Sequence, residues 1–388
     1  MTRKICVVTA TRAEFGALKC LIEGIDLEAD LELQLVVTGT HLSPEFGHTI
    51  DQIIESGLKI TKKVEILLSS DSAIGVSKSM GLALISFAEV YDDLKPDIIV
   101  VLGDRYELIP IVSAANISRI PVAHLSGGEI TEGAIDDNIR HSVTKMSNLH
   151  FTAIEEYRKR VIQMGEHPSK VFNVGEPGLD NLHQIQLLTK SEFEKSISCK
   201  LLAKNLLITY HPETTEPIEK IKKDFLVILQ SLDNLTDTLL IFTKANADVG
   251  GRIINSMIDK YVLEHGEKAL SFNSLGQLRY LSALKYVDAV VGNSSSGICE
   301  APSFMVATVN IGSRQKGRIK AKSTIDVEAN KESLSKVFAY IYTPKFKKIL
   351  AETTNPYGDG HTSSKIIDVL KSIDVSSLQY KSFFDIDY

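Results

Sequence analysis

The chain alternates between short apolar runs and longer segments in which apolar residues recur every three or four positions. Runs of strand length lie at 5–9, 33–38, 97–102, 121–125 and 171–174, and the helical period marks 16–24, 76–94, 108–117, 136–146 and 154–164. Several runs are apolar at consecutive positions, as in Ile98-Ile99-Val100-Val101-Leu102. Such strands suit a parallel sheet covered by helices on both faces. The pattern thins over 184–204, after the turn Gly175-Glu176-Pro177-Gly178, and restarts with strands at 206–210, 238–243, 289–292 and 306–311. The expected fold class is therefore α/β, with two Rossmann-like doubly wound domains. Residues 1–180 are expected to form the first and 181–360 the second. The helical stretch at 360–372 is expected to return to the first domain with the rest of 361–388.

Length and composition agree with that division. The 388 residues suffice for two cores, and 44% hydrophobic with 24% charged residues is an ordinary globular balance. The net charge of −6 is spread along the chain, without the basic stripe that nucleic acid requires, so no nucleic-acid partner is expected. Four scattered cysteines (Cys6, Cys20, Cys199 and Cys299) show no zinc spacing and read as free thiols in a reducing compartment. The apolar run after Met1 is too short for a signal peptide, and no run reads as a membrane span. A cytoplasmic enzyme without a membrane partner is expected.

In open parallel sheets ligands bind outside the C-terminal strand ends, and there this sequence concentrates its polar residues. The first strand is followed by Thr11-Arg12-Ala13-Glu14-Phe15-Gly16, which lacks the G-x-G-x-x-G fingerprint, so no nicotinamide cofactor is expected. Arg12 would stand near a helix start, suited to a phosphate or simply to a surface loop. The second strand leads to His41. After 97–102 comes Asp104, either a desolvated carboxylate at a cleft or a helix N-cap. The densest polar stretch follows the next strand: His124, Ser126, paired glycines 127 and 128, Glu129, then Asp136, Asp137, Arg140 and His141. Asp136–Arg140 and Asp137–His141 have the spacing of helix braces. Carboxylates gathered at adjacent strand ends cannot all ionise freely, so at least one pKa should rise. A metal held by Asp104, His124 and Glu129 is the weaker alternative, since no H-x-x-x-H pair is present. In the second half His211 follows a strand, and Gly292-Asn293-Ser294-Ser295-Ser296-Gly297 leads into a helix bearing Glu300. Helix N-terminal N–H groups there, with Arg314 after the next strand, would suit a diphosphate.

These stretches (TRAEFG at 11–16, VLGDRYE at 101–107, GGE with DDNIRHSVTK within 127–145, YHPET at 210–214, GNSSSG at 292–297 and GSRQKGR at 312–318) resemble the UDP-N-acetylglucosamine 2-epimerases. Within them the chain is most similar to the hydrolysing branch of sialic and legionaminic acid biosynthesis. The resemblance implies a GT-B-like pair of domains with a central cleft, and no cofactor or metal. It implies UDP ligands at Arg12, His41, His211, Ser294, Ser295, Ser296, Gly297, Glu300 and Arg314. The catalytic set would be Asp104, Glu129, Asp136 and His211. The implied reaction removes H2 of the sugar, expels UDP by anti elimination, and adds water to the 2-acetamidoglucal to give a free sugar with C2 inverted. UDP-N-acetylglucosamine is the first expected substrate and UDP-2,4-diacetamido-2,4,6-trideoxyglucose a close variant. A glycosyltransferase and a non-catalytic UDP-sugar sensor are the other classes. A homodimer or dimer of dimers is expected. Animal members carry Glu where this chain has Ser126, and the loop from Glu129 to Asp136 is one residue longer here, which keeps Glu132 beside Glu129 as a candidate.

Overall fold

The computed structural model describes residues 2–44, 48–68, 72–131, 135–213, 216–245 and 251–386. The chain divides into two compact units. The first runs to Gln184 and takes back the chain from Tyr357, and the second comprises Ile185–Pro356.

The first unit is built on strands β1 (Arg3–Thr9), β2 (Leu31–Thr38), β3 (Ile60–Val64), β4 (Ile98–Leu102), β5 (Val122–Leu125), β6 (Leu149–Thr152) and β7 (Val171–Asn173), in spatial order β3-β2-β1-β4-β5-β6-β7. Every pairing is parallel. The side chains of β1 and β4 divide between two cores. Ile5, Val7, Ile98 and Val100 face the helices Arg12–Leu27 and Thr362–Ser372. Cys6, Val8, Ile99 and Val101 face the helices Ala73–Leu94, Leu108–Ile117 and Ile135–Met146. Apolar residues at consecutive positions thus serve both faces of one sheet. The returning helix Thr362–Ser372 buries Ile366, Ile367 and Leu370. Its first turn is tied down by the buried Asp180 carboxylate, which accepts from the Thr362 and Ser363 N–H groups at 2.8 and 2.5 Å.

Helix Ala73–Leu94 corrects the expectation that no segment has membrane-span character. With 22 residues and a mean hydropathy of 1.4 it is long and apolar enough by length and composition. Its Ala83, Phe87, Val90 and Tyr91 pack into the core, while Ile74, Leu84 and Ile85 remain exposed, so core burial accounts for only part of its apolar character.

The second unit repeats the plan with β8 (Lys204–Thr209), β9 (Thr238–Thr243), β10 (Ala269–Phe272), β11 (Ala289–Gly292), β12 (Ala307–Ile311) and β13 (Thr324–Val327), ordered β10-β9-β8-β11-β12-β13 and parallel throughout. In both sheets the strand order reverses once, between β1 and β4 and between β8 and β11. Those are the switch points at which open α/β sheets present ligand-binding loops.

Candidate functional site

At the first switch point, Thr11 and Glu14 form a reciprocal capping box at the start of helix Arg12–Leu27. Glu14 Oε2 accepts from the Ala10 and Thr11 N–H groups at 2.7 and 3.2 Å, while Oε1 has no hydrogen-bond partner. Burial pushes its carboxyl up to about 7. Glu14 was not among the expected site residues; its spacing from Thr11 is the signal that marks it. Arg12 opens the helix with an exposed side chain. His41 is fully buried, with Nε2 3.0 Å from the Thr9 hydroxyl and Nδ1 2.8 Å from that of Thr49. His41, expected as a nucleotide ligand, thus links the end of β1 to Thr49, the residue before helix Ile50–Glu55.

Asp104 follows β4, and the nearby helix Leu108–Ile117 is preceded by Glu107, so Asp104 does not cap it. It pairs instead with Arg140, whose side chain is only 3% exposed. The second guanidinium nitrogen of Arg140 donates to the Glu129 carbonyl at 3.0 Å. Arg140 thus crosses to the β4 and β5 loops, whereas the spacing had suggested a brace to Asp136. The expected Asp137–His141 pair is present at 3.3 Å. Asp136, in the first turn of helix Ile135–Met146, has its pKa raised by burial and then by the charge of Asp104. Glu129 is buried. Glu132 lies outside the described residues.

His124 supports the same loops from beneath. It is fully buried, and burial lowers its pKa to about 3, so the ring is neutral. Nε2 donates to the Gly103 carbonyl at 2.7 Å, and Nδ1 lies 3.1 Å from the Thr144 hydroxyl, which also reaches the Arg140 carbonyl at 2.9 Å. Gly103, Asp104, Arg140, Thr144 and His124 close a circuit. The neutral ring keeps one lone pair, on Nδ1, which faces the Thr144 hydroxyl. Among the described residues no group of three or more His, Cys, Asp or Glu is placed to hold an ion.

At the second switch point Asn293 joins the loops. Its side-chain oxygen accepts from the His211 N–H at 2.7 Å, and its amide nitrogen donates to the His211 carbonyl at 2.8 Å. Its own carbonyl accepts from Arg314 at 3.0 Å and Gln315 at 2.9 Å. Glu213 adds a second tie, accepting from the Ser313 N–H at 2.8 Å and its hydroxyl at 2.7 Å. Gly292 has φ +131°, and a Cβ there would stand 2.0 Å from the Thr209 carbonyl oxygen, so the close approach of β11 to β8 demands glycine. Gly297 is likewise set by packing, its virtual Cβ falling 2.8 Å from a Thr308 methyl. The helix after the serines is a single turn, Ser296–Cys299, shorter than the pattern suggested. Ser294 and Ser296 hydroxyls lie 3.1 Å apart, Ser296 also meets Tyr280, and Ser295 is exposed. Burial raises the Glu300 carboxyl to about 7.

Two chemically distinct clusters result. The first unit offers a carboxylate, Asp104, fixed by buried Arg140, and two carboxyls, Glu14 and Asp136, with raised pKa. The second offers hydroxyls, His211, Arg314 and a buried carboxyl around a rigid pair of loops.

Comparison with known proteins gives a consistent picture. The family model described as UDP-N-acetylglucosamine 2-epimerase matches residues 24–371. A Campylobacter jejuni protein named GDP/UDP-N,N'-diacetylbacillosamine 2-epimerase (hydrolyzing) is 45% identical, the match covering 99% of each chain. A Legionella pneumophila protein named UDP-N,N'-diacetylbacillosamine 2-epimerase (hydrolyzing) is 34% identical, covering 97% of this chain and 98% of that one. Among solved structures, UDP-GlcNAc 2-epimerase from Neisseria meningitidis bound to UDP-GlcNAc superposes with a TM-score of 0.81 at 20% identity, over 95% of this chain and 99% of the other, and so shares the fold.

Proposed function

The chain belongs to the UDP-N-acetylglucosamine 2-epimerase family, and from that premise we propose that it is a hydrolysing 2-epimerase of UDP-N,N'-diacetylbacillosamine, the 2,4-diacetamido-2,4,6-trideoxyglucose nucleotide. The observation that carries this reading is the full-length match to two relatives bearing that substrate's name, one of them at 45% identity. UDP-N-acetylglucosamine is the second reading, favoured by the description of the matching family model.

The side chains fit the reaction. Loss of H2 to a base and of UDP from C1 gives a 2-acetamidoglucal; water then returns a hydroxyl to C1 and a proton to the opposite face of C2. One group must take a proton and one must deliver it. Asp136, whose pKa is raised, is suited to carry it, while Asp104 and Glu129 hold the charge of an oxocarbenium-like sugar. The leaving UDP is stabilised by Arg12, His211, Arg314 and the Ser294–Ser296 hydroxyls, an electrostatic contribution of the oxyanion-hole kind. Glu300, protonated near neutral pH, can both donate to and accept from the ribose hydroxyls. The protein works in the cytoplasm as a homodimer or a dimer of dimers. In support, helix Ala73–Leu94 leaves Ile74 and Ile85 70% and 66% exposed along one stripe.

Incubation with each UDP-sugar in D2O, followed by NMR, tests the reading. The expected products are UDP and a free 2-epimeric sugar carrying deuterium at C2. Intact nucleotide sugar in both incubations would sink it, and turnover of UDP-N-acetylglucosamine alone would select the second substrate.

A further inference from the structure

Helix Ile135–Met146 carries Asp136 and Arg140 at its front, and its rear is held by chain that belongs to neither the sheet nor its crossovers. The last carbonyls of a helix have no intrahelical donors and favour a cation. Here Lys381 supplies one. Its ammonium donates to the Lys145 carbonyl at 2.6 Å, the Ser147 carbonyl at 2.6 Å and Glu166 Oε2 at 2.8 Å, which uses all three of its protons.

The carboxylate it meets is buried and shared. Glu166, 3% exposed, also takes Lys145 at 2.6 Å and the Nε2–H of fully buried His150 at 2.9 Å. Around this anchor the tail makes further contacts. The Asn148 amide donates to the Leu378 carbonyl at 2.8 Å, Lys170 meets the Ser377 hydroxyl at 2.6 Å, and the Phe384 N–H donates to the Gly165 carbonyl at 2.9 Å. Beyond Leu378, which is buried in the core, Tyr380 and Phe383 remain 89% and 66% exposed, so apolar burial does not account for this last part of the tail's path. The tail arches over a cavity of about 240 Å³ lined by Glu166, His167, Lys170 and Lys381. Leu378 seats the start of the tail in the core, and beyond it the ionic anchor ties the tail to the helix end.

We propose that Lys381 is a positioning residue for the reaction, the tail acting through it to fix the rear of the helix whose front sets Asp136, Arg140 and, through Arg140, Asp104. A helix of this length is a rigid lever of about 18 Å, so a tilt admitted at Ser147 reappears at Asp136. The inference rests on the catalytic reading above for its link to turnover.

The test uses the full-length protein. Lys381→Met is expected to lower kcat on the order of tenfold or more, as misplacement of catalytic groups does. UDP affinity, measured by calorimetry, should stay within twofold. Amide exchange in 135–146 should quicken, and Lys381→Arg should restore both readouts in part. If Lys381→Met does not fold, Ser377→Ala removes the Lys170 tie from the tail while leaving Lys381, Lys145, Glu166 and His150 in place, and carries the same expectation in reduced size. A kcat within twofold of wild type overturns the proposal, as does unchanged exchange in the helix. If the wild-type protein turns over neither sugar, it is the catalytic reading that has failed, and exchange alone then decides whether Lys381 anchors the helix.

Discussion

Three buried histidines set the acid behaviour of the first unit. His41 and His124 are lowered by burial to about 4 and about 3, and His150 is lowered as well. Folding therefore favours the neutral ring. The stability this contributes is complete above the unfolded value of about 6.5 and is lost as pH falls below it toward the folded values. Unfolding free energy should fall by on the order of a few kcal/mol between about pH 6.5 and 4, seen in thermal melts as a falling Tm, and His124→Gln should flatten that slope. A melt independent of pH over this range would contradict the neutral assignment. Asp104→Asn should cut kcat by about a hundredfold or more, in the range of lost general catalysis, with UDP affinity within a few fold; loss of UDP binding would make Asp104 structural instead. Residue roles were legible where position alone defines them. Asp104 follows five apolar residues and could be placed at a strand end. Arg140 could not be assigned from spacing, because its partners come from the β4 and β5 loops, 36 and 11 residues away. The partners of His41 were unreadable for the same reason: Thr9 and Thr49 surround it only once the sheet has formed.

Elements were readable in proportion to their burial. The runs at 238–243 and 289–292 match β9 and β11 end to end, since every residue of both strands is buried. Strands β3, β10 and β13 lie at sheet edges or carry partly exposed residues, and their mixed sequences (ITKKV in β3) leave no continuous apolar run. β6 is buried but too short, at four residues including His150, to stand out. The stretch at 184–204, expected as a linker, contains the helix Lys190–Ser196 with a Thr189–Glu192 capping box, a signal the hydrophobic pattern does not weigh. At this scale Gly292→Ala is the sharpest test. The added methyl meets the Thr209 carbonyl, so β11 must move from β8, and a stability loss of about 2 kcal/mol or more is expected together with weakened UDP binding. Denaturant titration and calorimetry check the two effects. Thr11→Ala should cost about 1 kcal/mol through the lost cap alone.

For the whole molecule, the sequence pattern conveyed two α/β units, because periodicity survives in both halves. The proposed self-association is tested at the exposed stripe of helix Ala73–Leu94: Ile85→Glu is expected to reduce the mass measured by light scattering after size exclusion, and an unchanged oligomer would place the interface elsewhere. The return of the chain at Tyr357 also bears on synthesis. A ribosome makes the seven strands of the first unit first, then the whole second unit, and only afterwards the helix with Ile366, Ile367 and Leu370, each worth about 1.5–3 kcal/mol when buried. The amino-terminal half is thus completed last. While the second unit emerges and folds, the part of the first sheet's face that Ile366, Ile367 and Leu370 cover stands open to chaperones and to neighbouring chains on the same message. Nascent chains arrested before residue 362 should be cut by protease within 1–184 while the second unit resists, and release of the full chain should abolish that difference.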